Sequence, residues 1–222
     1  MLRNKLSLPD LTFYSPSDLY EQAKQEMDQA GMKVLYAAGH QHQKTREKWC
    51  ASMLGFAYQG AIQPCRLAVN DTKINPEADF YLEADKDISP FQLVETMPPD
   101  KEKERGKIYR DYDEGKLTSL PYSPATEGEM GPSWVKEKVA KKATKYGVGN
   151  SIHLAVYANF SIYQLNRDNY VEAVKPYIDS FASIWMVSNA FVTTLHAAGK
   201  IGSIPELFQV IRPDGSFASL PN

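Results

Sequence analysis

The spacing of apolar residues along this chain changes character several times. Residues Ser17–Ala30 predict a first helix, with Ser15, Ser17 and Asp18 as cap candidates and Gly31 as the stop. A second helix is predicted over Gln43–Tyr58, where Trp49, Cys50, Met53, Leu54, Phe56 and Ala57 recur at helical spacing and Gly60 follows. The pattern then shortens. Ala61–Val69 reads as a strand in which Pro64 marks an edge or a bulge, and Ala78–Glu83 alternates with period two. Phe91–Met97 reads as a third strand, ended by Pro98 and Pro99. Brief connections between these strands suggest an antiparallel meander.

A charged segment, Asp100–Lys116, predicts a further helix, and residues 117–132, rich in Pro, Gly, Ser and Thr, predict a surface loop. Ser133 caps a helix expected over Trp134–Tyr146, with Gly147 as its stop. Ile152–Phe160 reads as a buried strand, Asp168–Phe181 as a helix kinked at Pro176, and Ser183–Ala190 as another strand. Strand, helix, strand at that spacing implies a parallel crossover. The expected fold class is therefore α/β, a central mixed sheet flanked by helices in one domain spanning residues 1–222.

Composition narrows this picture little. An apolar fraction of 43% and a charged fraction of 23% suit an ordinary globular chain. No apolar run approaches the roughly 20 residues that span a bilayer, and the opening residues MLRNKLSLPDLTFY lack an apolar leader, so a cytoplasmic protein is expected. Two cysteines, Cys50 and Cys65, in no metal-ligating spacing, read as small buried hydrophobes. A net charge of −2 argues against coating by nucleic acid through bulk positive charge.

Candidate chemistry centres on two acids. Asp79 opens the second expected strand and Glu95 interrupts the apolar third, beside Leu93, Val94 and Met97. An acid at such a place is costly unless it is paired, solvated in a cleft or metal-bound; the alternative is an exposed sheet face. Hard cations take oxygen ligands of this kind. His40 and His42 make an HxH pair without a visible third ligand, and His153 and His196 read as structural or unassigned. No GxSxG, GxxxxGK[ST] or GxGxxG motif occurs.

The run NPEADFYLEADKDISPFQLVET, followed by KVAKKATKYGVGNSIHLAVYANF, resembles the PD-(D/E)XK nuclease-like superfamily. The resemblance implies a restriction-endonuclease-like αβββαβ core over residues 43–160, with residues 161–222 adding a helix, a strand and a tail. It implies Asp79 and Glu95 as catalytic metal ligands and Glu47 as a third acid, which otherwise reads as a solvated helix-face charge beside Arg46 and Lys48. The implied cofactor is Mg2+, with Mn2+ as a substitute. The chain departs from the motif: Ala78 precedes Asp79, Met97 fills the lysine slot, and taking Gln92 as the motif position puts Val94 there.

A substitute lysine is sought on the following helix, where Lys138, Lys141 and Lys145 make a basic stripe that suits either phosphate contact or solvation, with Lys142 as a further nucleic-acid contact candidate. Lys145 is the expected catalytic replacement. Arg105, with Lys107 and Arg110, is a second phosphate-contact candidate, although nearby Glu102, Glu104 and Asp111 favour self-pairing. The expected function is thus a metal-dependent nuclease acting on DNA, with RNA as another substrate and a homodimer as a further expectation. The alternative is a catalytically inert nuclease-like module that binds nucleic acid or protein.

Overall fold

Seven strands among the described residues form one mixed sheet in the order β1 to β7. The computed structural model describes residues 11–30, 42–70, 78–116, 124–149, 151–160, 165–198, 201–213 and 215; at 101, 105, 108, 109, 112, 113 and 124–127 it describes the backbone alone. The order of elements is α1 (Pro16–Ala30), α2 (Gln43–Ala61), β1 (Arg66–Val69), β2 (Phe80–Ala84), β3 (Asp87–Thr96), α3 (Pro99–Asp113) and α4 (Pro124–Tyr146). Then follow β4 (His153–Ala158), α5 (Arg167–Val174), a 3-10 segment (Lys175–Ser180), β5 (Ser183–Val187), β6 (Phe191–Ala197) and β7 (Phe208–Gln209). No helix of the described residues is long and apolar enough to cross a membrane.

The expected meander and crossover are both present. Strands β1, β2 and β3 pair antiparallel, β3 with β4 and β4 with β5 pair parallel, and β6 and β7 extend the edge antiparallel. Central parallel strands require cover on both faces. On β4, Ala155 and Tyr157 join the core beneath α1 and α2, while Leu154, Val156 and Ala158 join the core beneath α4 and α5. The same alternation sends Phe91 and Leu93 of β3 towards α2 and Val94 towards α4.

Several expected boundaries move, each for a physical reason. The first strand shrinks from Ala61–Val69 to Arg66–Val69, because α2 runs on to Ala61 and Tyr58 O accepts from both Ile62 N and Gln63 N. Pro64 has no N–H for a ladder in any case. The expected surface loop is corrected over 124–132, which are helical; residues 117–123 lie outside the described set. Here Gly131 permits a close approach that its composition does not announce: a Cβ there would stand 2.2 Å from the Tyr170 hydroxyl oxygen. The expected strand Ser183–Ala190 ends at Val187, where Ser188 Oγ accepts from Phe191 N at 2.9 Å and turns the chain into β6. Helix α5 gives way to 3-10 geometry at Lys175, next to Pro176.

One row of side chains crosses four strands. Phe80 of β2 pairs with Phe91 of β3, Phe91 with His153 of β4, and His153 with Ser183 of β5. The Phe80 and Phe91 rings stack at 4.9 Å, and Phe91 stacks on His153 at 5.0 Å. The Trp185 indole donates to Ser183 Oγ at 2.6 Å, and Ser183 Oγ lies 2.7 Å from His153 Nδ1. An indole N–H is only a donor, so Ser183 Oγ accepts from Trp185 and links the indole to the imidazole of β4.

Burial holds His153 down to about 4 from 6.5. The folded state therefore binds fewer protons than the unfolded state between those values. Stability from the neutral ring is complete above pH 6.5 and is lost as pH falls through this window, by about 3 kcal/mol in all. Urea unfolding of the wild type and His153→Asn from pH 7 to 4 is expected to show a shallower decline in the variant.

The β2–β3 hairpin turns through Asp85 and Lys86, both at positive φ, 48° and 69°. Two such residues make a type I′ turn, in which a lysine is strained and glycine is favoured. Lys86→Gly is expected to stabilise the fold by about 1 kcal/mol, read as a higher urea midpoint with an unchanged slope.

Candidate functional site

Strand β2 starts at Phe80, opposite Phe91, whereas β3 runs on to Thr96 with β4 as its remaining partner. A crevice opens where one neighbour stops. Asp79 stands at its mouth. Its N–H donates to Phe91 O at 2.8 Å, and its Oδ2 accepts from Leu93 N at 2.7 Å, so a side chain takes the place of the missing strand. Two residues further on, Glu95 lies on the same strand face as Leu93 and in register with Tyr157.

Helix α2 closes the other wall. Gln43, Arg46, Glu47 and Cys50 are spaced three, four and seven apart, which places them on one helical stripe. Together with Asp79, Leu93, Glu95 and Tyr157 they line a cleft of about 150 Å³. Hydrogen bonds fix its walls. Glu95 Oε1 accepts from Asn159 Nδ2 at 2.7 Å. Asn189 Oδ1 accepts from the Tyr157 hydroxyl at 2.8 Å and from Trp49 Nε1 at 2.7 Å.

Glu47 is not the solvated helix-face charge that one of its two readings expected. It is 1% exposed and faces the interior rather than a solvated surface. Gln43 Nε2 donates to its Oε1 and Lys44 Nζ to its Oε2, both at 2.7 Å. Burial raises its carboxyl above 4.5, and the Asp79 charge adds to the rise, against the opposing Lys44 and Gln43 contacts. Cys50 is pushed well above 9.0 by burial, then by Glu95, with Glu47 adding and Arg46 opposing, so its sulfur keeps its proton. A protonated thiol is a poor metal ligand.

The remaining expected residues lie elsewhere. Gln92 points to the opposite face of β3, where its Oε1 accepts from Lys142 Nζ of α4 at 2.6 Å. Burial lowers the Lys142 ammonium from 10.5, opposed by Asp79. Lys138 pairs with Glu102 of α3 at 2.7 Å, and Lys141 with Glu137 at 2.8 Å. The Lys145 ammonium sits 5.1 Å from the Tyr146 ring centroid. Met97, in the motif's lysine slot, is buried. The side chain of Arg105, like His40, lies outside the described residues. Thus the structure gathers Asp79, Glu95 and Glu47 and leaves Gln92 and the basic stripe on the far side of the sheet. Among the described residues, no three His, Cys, Asp or Glu side chains stand as a ready metal cage.

Sequence reasoning missed Gln43, Tyr157, Asn159 and Asn189. Gln43 was within reach, four residues before Glu47 on the helix; the three others depend on strand register and on a turn from β5.

No protein-family model matches the chain, and comparison with curated proteins likewise gives no match. Among solved structures the chain is similar to a Pseudomonas aeruginosa protein of unknown function described as belonging to the monooxygenase superfamily. The two share 14% identity over 89% of this chain and 95% of the other, with a TM-score of 0.44. None of these comparisons supports the expected PD-(D/E)XK identity. The DNA-cleaving and inert nuclease-like readings are corrected with it, because the motif's lysine position holds buried Met97, and Lys142, Lys138 and Lys141 meet Gln92, Glu102 and Glu137 rather than the acids of the cleft. At that score and identity the likeness assigns no activity to this chain.

The raised Glu47 carboxyl has a direct consequence for stability. A folded-state value above the unfolded one means that its contribution is complete at low pH and lost as pH rises through the folded value. Above that point the buried carboxylate opposes folding. In metal-free buffer at pH 7, Glu47→Gln is therefore expected to melt at the same temperature as wild type or higher. The gap closes as the pH is lowered into the carboxylate range, which differential scanning calorimetry measures.

Proposed function

We propose that the protein binds a hard divalent cation, Mg2+ or Mn2+, in the cleft between α2 and strands β2 to β4. The observation that carries this reading is the pairing of a fully buried carboxylate, Glu47, with a second acid, Asp79, whose charge raises it further. Glu95 adds a third carboxylate to the same cleft. Burying like charges together is unfavourable unless cations offset them, and Lys44 and Arg46 bring two positive charges to the three carboxylates.

The donor chemistry supports a hard ion. Every acidic donor in the cleft is an oxygen, and the one sulfur, Cys50, stays protonated. Mg2+ commonly binds through one or two carboxylates and keeps several waters, so a preformed three-acid cage is unnecessary. When bound, such an ion neutralises the acids and lowers the pKa of the water it holds. The protein's own residues hold the frame: Leu93 N–H fixes Asp79, Asn159 fixes Glu95, and Asn189 fixes Tyr157.

Isothermal titration of the metal-free protein with Mg2+ and with Mn2+ is expected to show one site. Asp79→Asn and Glu95→Gln each weaken it by about tenfold or more, equivalent to at least about 1.4 kcal/mol. Affinity also falls as pH is lowered through the raised Glu47 value, because proton and cation compete for one carboxylate. Absence of heat from either ion, or variants that bind as tightly as wild type, would falsify the reading.

A further inference from the structure

Both carboxylate oxygens of Glu47 are engaged from the first turn of α2, Oε1 by Gln43 and Oε2 by Lys44. The Lys44 ammonium has a second acceptor. It donates at 2.5 Å to the carbonyl of Asn70, the residue that follows β1. A single positive charge thus rests between a buried carboxylate oxygen and a backbone carbonyl oxygen, the ligand types that hard cations select.

This position is built rather than incidental. Asn70 is 5% exposed, its N–H donates to Asp79 O at 2.9 Å, and its Nδ2 donates to Ala78 O at 2.8 Å. These two bonds anchor Asn70, which carries the carbonyl, to Ala78 and Asp79 ahead of β2. The two charged partners differ sharply in exposure. The Lys44 side chain is 45% exposed and the Glu47 side chain 2%. The ammonium closes the site from the solvent side, on a flexible four-carbon stem that can swing into water.

We propose that the Lys44 ammonium is the internal occupant of a divalent-cation position formed by Glu47 Oε2 and the Asn70 carbonyl oxygen, and that an entering cation displaces it. The inference rests on the cation-binding reading above and adds to it a backbone ligand, a location and a competitor. Displacement exchanges a monovalent for a divalent charge between the same two oxygens and changes no covalent bond. Lys44 thereby sets the cation concentration at which the cleft fills.

The test is titration of the full chain with Mg2+ and Mn2+ in wild type, Lys44→Met and Lys48→Met. Lys48 lies one turn along α2 and pairs with Glu26 at 2.6 Å, so its variant controls for loss of positive charge as such. Lys44→Met is expected to bind about tenfold more tightly, whereas Lys48→Met stays within about twofold of wild type. Lys44→Gln, a polar second variant, is expected to tighten binding in the same direction. Bound Mn2+ is expected to broaden the amide resonances of Asn70 and Asp79 ahead of those of β6. Equal affinity in wild type and both Lys44 variants, or an equal gain in Lys48→Met, overturns the role of Lys44 and leaves the cation reading standing. No binding by any of the proteins overturns both.

Discussion

Register along the row Phe80, Phe91, His153 and Ser183 governs where everything else in the molecule can stand. A slip of one residue in any strand would send its apolar set to the other face of the sheet. Stacked rings and the Trp185–Ser183–His153 hydrogen bonds oppose that slip. Aromatic pairs of this kind contribute roughly 0.5–1.5 kcal/mol beyond their buried area. With the row in place, β2 must begin opposite Phe91, and Asp79, the residue before it, must meet Leu93 N. The same alignment sets Glu95 beside Tyr157. The cleft is thus a consequence of where one strand stops and its neighbour continues.

The two faces of β3 divide the chain's charged chemistry. On the α2 face, acids from a helix, from β3 and from the residue before β2 converge in a small space, and burial raises the innermost of them. On the α4 face, Gln92 meets a single desolvated lysine, Lys142, while Lys138 and Lys141 find acids of their own. Those pairs are partly or largely exposed and contribute little individually. They do, however, direct the ammonium groups of the stripe to α3 and to α4 itself rather than into the cleft. The basic stripe and the acidic cleft are therefore separate features, although both follow short motifs that a linear reading joins into one.

That separation also shows why the resemblance to nuclease-like chains misled. Its motifs are an acid, an interval, a second acid and a lysine-rich helix, and each is present in the order expected. Order along a chain says little about which side of a sheet a side chain takes. Met97 in the lysine position is core, and Lys145 lies against Tyr146.

Periodicity alone determined the α/β class, helices α1 and α2, the antiparallel meander and the parallel crossover, because burial acts on each residue through its spacing from the next apolar one. It also singled out Glu95, since an acid inside an apolar strand is conspicuous wherever it sits, with Asp79 at the opening of the strand before it. The extension of α4 through a Pro- and Gly-containing stretch was decided by packing, where Gly131 admits Tyr170 and Phe160 against the helix. Strand β6 followed from a turn that Ser188 closes. Glu47 was ambiguous between surface and interior until α2 was seen to be covered by α1 and the sheet. Tyr157, Asn159 and Asn189 entered the site through register and side-chain hydrogen bonds, which join residues far apart in the chain and leave no local signature in the order of amino acids.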